Sequence, residues 1–421
     1  MINTLIDKLN ASTKEERLSA LKELLSIEKD KPEKRECDAN NHIHTTFSFS
    51  PHSPTKSAYL AYRAGLTSAG IMDHDTLAGA DEFRSACQML GLGVTIGVEL
   101  RCKLDRGFGK INNPDQDNIM YTLIHGVPPQ SIKAFNDFLE PYRQKRFERD
   151  KKMCQKISDK YGKFGIEIDF EKDVKPLSQA HDGGTITERH LLFALSKKLS
   201  DKFGRTKTLI EFLENDLELS VSEKLKGYLL DNDNPHFLYD LLGVLKADTK
   251  FFYIEADEEL LTAEELVKVS LKFGAIPAWS YLGDIGDSVT GDKRTQKFED
   301  DYLPELGAAV KEIGFQASAY APTRNTPKQL EKLLITVKKH NLLQISGEDI
   351  NTPRQAFTCP ILARPEFRHL TTSTWALIGH EKLSLEKGLE YGIFGKKAIE
   401  EFPDLQARIE HYAKIGKQTV N

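Results

Sequence analysis

Two histidines two residues apart, His42-Ile43-His44, are the residues here whose type and spacing first suggest chemistry. On an extended strand they project to the same face, where two imidazoles can grip one metal ion or bridge neighbouring ions. Three further segments strengthen that reading. Asp73-His74-Asp75 follows the short apolar run Ala69–Met72. Glu99 stands inside the apolar run Val94–Leu100, where a carboxylate is costly unless it is paired or metal-bound. His125 ends a fourth run, Ile119–Ile124. In an α/β barrel, side chains at the C-terminal ends of successive strands converge on one rim, so these runs are expected to deliver their imidazoles and acids to a common place. Imidazole plus carboxylate, without a thiolate cluster, suits zinc, manganese or iron better than calcium. One to three such divalent ions in a shared rim would lower the pKa of bound water and clamp a phosphoryl oxygen.

The elements that must position these residues follow from the hydrophobic pattern. Short apolar runs alternate with helical segments from residue 40 onward: Asn41–Phe47, a helix over Ser57–Ala64, Ala69–Met72, a helix over Gly79–Leu90, Val94–Leu100 and Ile119–Ile124. That alternation argues for parallel strands with crossover helices. From Ser131 to about Tyr161 the chain is charged and helical in pattern, and helical segments continue over Glu188–Leu199, Thr208–Leu217 and Ser222–Leu229. No convincing strand falls between about 130 and 250. Strand texture returns at Gly274–Ser280, Phe315–Tyr320 and Leu342–Ile345, separated by helical patterns over Lys297–Ile313 and Pro327–His340. The expected fold is an α/β barrel of about seven strands. The domain reading is an N-terminal helical extension and linker over 1–37, barrel segments over 38–127 and 265–360, a helical insertion over 128–264, and a helical region over 361–421. In the extension, Ser12-Thr13-Lys14-Glu15-Glu16 offers two overlapping capping boxes before the leucines at 18, 21, 24 and 25. The proline-containing charged run 28–36 should end that helix as a solvated linker, and Ile399–Ile409 reads as a late helix.

Composition sets outer bounds. The chain has 421 residues, 39% hydrophobic and 29% charged, with a formal net charge of -5, which gives no global attraction to nucleic acid or anionic membrane. No stretch reaches the roughly 20 consecutive apolar residues of a membrane span, and the N-terminal segment has no secretory pattern. The five cysteines (Cys37, Cys87, Cys102, Cys154, Cys359) are scattered without CxxC spacing and read as reduced, mostly buried thiols of a cytoplasmic protein.

The segment His42–Arg101 is specific enough to carry a family resemblance. HIHTTFS, then GLTSAGIMDHDTLAG, then IGVEL, resembles the opening motifs of the PHP family, named for polymerase and histidinol phosphatase. The resemblance implies a distorted seven-stranded (βα) barrel, a cluster of up to three metals at its rim, and hydrolysis of phosphate esters. It implies His42, His44, His74 and Glu99 as ligands, and His190, in Glu188-Arg189-His190, as a further one. Three departures stand out. The family's Ser-Asp-Gly after its HxH reads here Ser48-Phe49-Ser50, which removes an acid that His52 would have to replace. The family's later His-Pro strand end reads Ala278-Trp279-Ser280-Tyr281, with no histidine. Its final Asp-x-His reads Asp349-Ile350-Asn351, keeping the carboxylate and replacing an imidazole by an amide.

Other groups are candidates for substrate. Arg324, after the run ending at Tyr320, and Arg354 could each fork onto a phosphate. Asp284 and Asp287 in a glycine-rich loop could add oxygen ligands, although a solvated turn is the simpler reading, and Gly291-Asp292-Lys293 does not complete a P-loop. The expected function is a metal-dependent phosphoesterase acting on a small phosphate ester through metal-activated water, with His42, His44, His74, Glu99, Arg324 and Arg354 at the reacting centre. Two alternatives stay open: a metal-binding protein whose catalysis is lost through the changes at Phe49, Tyr281 and Asn351, and a nuclease-type phosphodiesterase. Charge argues for a small-molecule ester over nucleic acid.

Overall fold

The apolar runs around the histidines pair into one curled sheet. In the computed structural model, which describes residues 1–285 and 296–419, the strands are β1 (Asn40–Ile43), β2 (Ser68–His74), β3 (Gly93–Lys103), β4 (Ile119–His125), β5 (Leu261–Thr262), β6 (Ile276–Ser280), β7 (Ala317–Tyr320) and β8 (Leu343–Ser346). Asp287 and Gly291-Asp292-Lys293 lie outside the described residues. Seven strands run in the order β1-β2-β3-β4-β6-β7-β8, and the two-residue β5 pairs with the far end of β3. The two edges of the curl approach each other: Ile350 N–H donates to His42 O and His44 N–H donates to Ile350 O, each at 3.0 Å. Gly347 permits this approach, because a Cβ there would meet His42 Cβ at 2.6 Å and His42 N at 2.8 Å.

One strand corrects the sequence reading. β4 runs antiparallel to both β3 and β6, while the other main pairs are parallel. The residues joining β3 to β4 form no helix, and without a crossover the next strand returns antiparallel. The C-terminal end of β4 therefore does not point to the rim reached by β1 and β2.

The helices are α1 (Ile2–Lys8), α2 (Lys14–Ile27), α3 (Pro54–Arg63), α4 (Ala80–Leu90), α5 (Ile132–Tyr161), α6 (Glu188–Phe203), α7 (Lys207–Glu211), α8 (Glu223–Leu230), α9 (Phe237–Leu245), α10 (Ala263–Lys272), α11 (Leu303–Ile313), α12 (Pro327–Lys339), α13 (Arg368–Lys387), α14 (Lys396–Glu401) and α15 (Leu405–Lys417). Their starts follow local chemistry. Of the two overlapping capping boxes, the one from Thr13 to Glu16 forms, and Ser53 caps α3 with Pro54 in its first turn. The late helix expected over Ile399–Ile409 is two helices, because Pro403 interrupts it and Asp404 caps the second. The segment expected as a free linker is stitched down: Arg35 N–H donates to Gly65 O at 2.7 Å.

Among the described residues no strand occurs between β4 and β5. The helices there carry their own apolar cluster, including Met153, Ile157, Leu191, Leu195, Leu241 and Phe252. A second cluster fills the space between the sheet and α2, α3, α4, α10, α11 and α12. A third joins Ala278, Ala317, Leu343 and Ile345 on the strands to Trp375 and Ile378 of α13 and Tyr412 of α15. All five cysteines are free thiols, four of them buried. No helix among the described residues is long and apolar enough to cross a membrane.

Candidate metal centre

The register of β2 on β3 places His74 directly opposite Glu99. Both then face the two imidazoles carried by β1 and its extension. His74 Nδ1 lies 3.2 Å from Glu99 Oε2, and His42 Nε2 and His44 Nε2 each lie 3.4 Å from the same oxygen. His44 Nε2 also lies 3.2 Å from Asp349 Oδ1, across the seam where the sheet edges meet. Two groups of donors thus come within reach of a shared cation: His42, His44 and Asp349, and His44, His74 and Glu99. His44 belongs to both.

The surroundings fix how these groups are presented. Ser48 Oγ donates to Asp73 Oδ1 at 2.6 Å, so its lone pair is left for His44 Nδ1, 3.3 Å away. That places the His44 proton on Nδ1 and leaves the Nε2 lone pair facing two carboxylates. The ring is buried to 1% exposure and Nε2 makes no hydrogen bond. A ring nitrogen facing two carboxylate oxygens in a buried pocket needs a proton or a metal ion between them, and the imidazole and carboxylate donors gathered here fit a divalent ion. Asp73 is itself held by Thr45, which donates through N–H and Oγ1, each at 2.6 Å, and burial raises its pKa. Asn351 donates through Nδ2 to Asp349 Oδ1 at 2.5 Å.

Electrostatics keep the acids ionised. Burial alone would raise the Glu99 pKa, but the imidazoles of His74, His42 and His44 lower it whenever they carry a proton. Against the same burial penalty, His44, His42 and Arg189 hold Asp349 well below the usual carboxylate range. Burial lowers His74 to about 3, so that ring is neutral, the form that binds metal. His42 is different: burial opposes its charged form, but Glu99, Asp349 and Glu348 raise its pKa.

The remaining sequence candidates fall outside these groups. His125 pairs with Ile276, and its antiparallel strand carries it away from the rim and below the level of Glu99. It is buried with Nε2 unpartnered, and burial lowers its pKa to about 3. His190 is turned inward: its Nδ1 accepts the Thr187 N–H at 3.0 Å and its ring meets Phe49 edge-on at 5.0 Å. Accepting at Nδ1 puts its proton on Nε2, which removes the second nitrogen as a ligand in this arrangement. His52 lies beside Phe357, outside both groups. Phe49, where an acid was expected, is apolar filling between His190, Phe193 and Tyr239. Tyr281 donates to Asp300 at 2.5 Å, and Asp284 accepts from Phe298 N–H and binds Lys297. Arg354, expected to fork onto a phosphate, instead binds Asp240 with both arms at 2.9 Å and lies over Tyr228. Arg324 is exposed and has no carboxylate in salt-bridge range among the described residues. Thr323 donates to Glu348, which keeps Arg324 next to the Glu348-Asp349 corner.

Sequence reasoning missed the structure behind the rim. Arg143, Arg146 and Arg149 form one stripe of α5 and reach back to the sheet. Arg143 donates to Asp75 O at 2.8 Å, and Arg146 binds Asp75 Oδ2 at 2.5 Å and Glu188 at 2.6 Å. Arg149 binds Glu188 and Glu259, each at 2.6 Å, and Glu259 also takes Arg101 of β3 at 2.9 Å. Asp75 accepts this role in a left-handed conformation, φ 55°. The three-residue spacing of the arginines was the available signal.

The sequence model of the family described as PHP domain matches residues 40–297. A 5'-3' exoribonuclease of Haemophilus influenzae is 39% identical over 59 residues, a match spanning 14% of this chain and only 22% of that protein. Among solved structures, a protein of Bifidobacterium adolescentis assigned as a metal-dependent phosphoesterase has a TM-score of 0.50 at 19% identity, over 80% of this chain and 96% of that one. An amidohydrolase of Chromobacterium violaceum, solved with sulfate and no metal, has a TM-score of 0.50 at 17% identity, over 79% and 95%. Those two likenesses concern the fold. The family match spans more than half of the chain and contains the paired histidines, His74 and Glu99, and on that ground this chain belongs to the PHP domain family.

Proposed function

We propose that this protein is a metal-dependent phosphoesterase acting on a small phosphate ester. The observation that carries the reading is the buried His44 Nε2, 3.4 Å from Glu99 Oε2 and 3.2 Å from Asp349 Oδ1. His42, His44, His74, Glu99 and Asp349 would hold the ion, with zinc, manganese or iron suited to these donors. A divalent ion held there supplies Lewis acidity, which lowers the pKa of water and offsets charge on a phosphoryl oxygen. The chain's own groups do the rest. Ser48 and Asp73 hold the His44 ring in its tautomer, and Asn351 orients Asp349. Arg324, exposed beside that corner, offsets charge that develops on the phosphoryl oxygens.

A second reading, a nuclease-type phosphodiesterase, has one observation in its favour, the 59-residue likeness to an exoribonuclease. The test is elemental analysis of the purified protein with turnover on an aryl phosphate and on a short RNA, repeated on His42→Ala/His44→Ala. The proposal expects bound Zn, Mn or Fe and release of phosphate from the aryl ester, both lost in a double variant that still folds. Release of nucleotides from RNA without aryl phosphate turnover favours the second reading. Bound metal without either activity rejects both.

A further inference from the structure

Asp75 follows His74 directly at the end of β2 and sits in a left-handed conformation, φ 55°. A residue with a Cβ is strained there, and such strain persists only where the surroundings fix it. Three contacts do so. The Asp75 N–H donates to Glu99 O at 3.0 Å, its carbonyl accepts from Arg143 Nη1 at 2.8 Å, and its Oδ2 accepts from Arg146 Nη1 at 2.5 Å. The next two residues are tied to the same stretch of chain. Leu77 N–H donates to Asn136 Oδ1 of α5 at 2.9 Å, and Thr76 Oγ1 donates to Gly183 O at 2.6 Å. The turn after His74 is therefore held by the segment between β4 and β5, which contributes no member to either donor group.

His74 depends on that turn for its direction. The His44 ring is steadied at Nδ1 by Ser48. The His74 ring stacks on His44 at 4.6 Å and turns Nδ1 toward Glu99 Oε2, but its Nε2 takes no side-chain hydrogen bond among the described residues. A ligand imidazole is usually oriented by a carboxylate or carbonyl on its second nitrogen. Here the neighbouring carboxylate, Asp75, is committed to Arg146 instead, and the orientation of His74 passes through its backbone. Arg146 is itself immobilised: its side chain is 5% exposed, and its second terminal nitrogen binds Glu188 at 2.6 Å.

We infer that Arg146 is a positioning residue of the metal centre, acting through Asp75: with Arg143 it holds the strained turn that aims His74 at the ion. The inference rests on the metal-dependent reading of the site, and it gives the helices between β4 and β5 a part in assembling the centre.

The test is calorimetric titration of the metal-stripped protein with zinc and with manganese, in variants that keep or break the link. Asp75→Gly accepts the left-handed turn but leaves Arg146 without its partner there, and Arg146→Gln breaks the link from the other side. Each is expected to bind metal about 10–100-fold more weakly. The double variant is expected to bind no more weakly than either single one, because both act through one contact. Asp75→Asn tolerates the turn and keeps an acceptor for Arg146, and is expected to recover most of the affinity. Arg149→Gln removes the same charge from the same buried network without touching Asp75, and is expected to keep wild-type affinity. Wild-type affinity in Asp75→Gly overturns the inference, and so does an equal loss in Arg149→Gln. Should Arg146→Gln fail to fold, the glycine and asparagine variants of Asp75 decide alone. A protein that binds metal but releases no phosphate from an aryl ester defeats the phosphoesterase reading only, since the affinity series still decides the role of Arg146. A protein that binds no metal defeats both.

Discussion

Asn351 holds Asp349 by a single short bond, its side-chain amide donating to Oδ1 at 2.5 Å. The amide thereby aims a half-exposed carboxylate at the His44 ring. Groups that orient a ligand carboxylate tune affinity without touching the ion. Asn351→Ala is expected to lower metal affinity roughly 10–100-fold with little loss of stability. A metal titration monitored by calorimetry checks this, and an unchanged isotherm would show that Asp349 needs no such support.

Gly347 marks the seam between the sheet edges. A methyl group there would press on the backbone and Cβ of His42, neither of which can swing away. Gly347→Ala is expected to cost about 1–3 kcal/mol, the usual penalty for overpacking, and to weaken metal binding as well. Urea unfolding of the metal-free protein gives the first number and titration the second. A wild-type value for both would mean that the seam opens freely.

Glu188 is the acid on which the α5 arginines depend. Glu188→Ala strands Arg146 and Arg149 in a poorly hydrated place, where their side chains are 5% and 6% exposed. Breaking a buried pair in this way costs about 3–5 kcal/mol. The expected outcome is a fall of that size in the urea-derived stability, with a smaller fall for Glu188→Gln. A loss under 1 kcal/mol would mean that Glu259 and Asp75 satisfy the arginines alone.

His380 gives the protein a pH dependence that can be isolated. Its ring is buried, with Nε2 against Gly126 O and Nδ1 accepting the Ile393 N–H, each at 2.9 Å. Burial lowers its pKa from 6.5 to about 4. Above 6.5 neither folded nor unfolded chain binds the proton, so His380 contributes nothing to the slope. As pH falls from 6.5 toward 4 only the unfolded chain is protonated, and stability is lost. The loss at pH 5.5 is about 1.4 kcal/mol for one such imidazole. Glu381, raised to about 8 by burial, slopes the other way, so the comparison needs a variant. His380→Gln is expected to be less stable at pH 7.5 but to lose less between pH 7.5 and 5.5, read from urea midpoints. Parallel profiles for the two proteins would place the slope in other groups.

The heart of the site was legible because it depends on local rules. Strand alternation puts His42 and His44 on one face, and adjacent parallel runs bring His74 and Glu99 level. The seven principal strands, the helix α5 and the strand-free stretch after β4 were also readable from periodicity. The direction of β4 was not, since alternation says which face a residue occupies and nothing about which way the strand runs. His125 was misplaced for that reason. Arg354 looked free because its partner, Asp240, sits in a helix far along the chain.

The membership of His44 in both donor groups limits what the centre can load. Its one available lone pair serves a single ion, since the other ring nitrogen is committed to Ser48. Filling either trio withdraws an imidazole from its twin. Loading should therefore proceed in unequal steps, one avid equivalent followed by laggards, and stoichiometry would shift with supply of the ion.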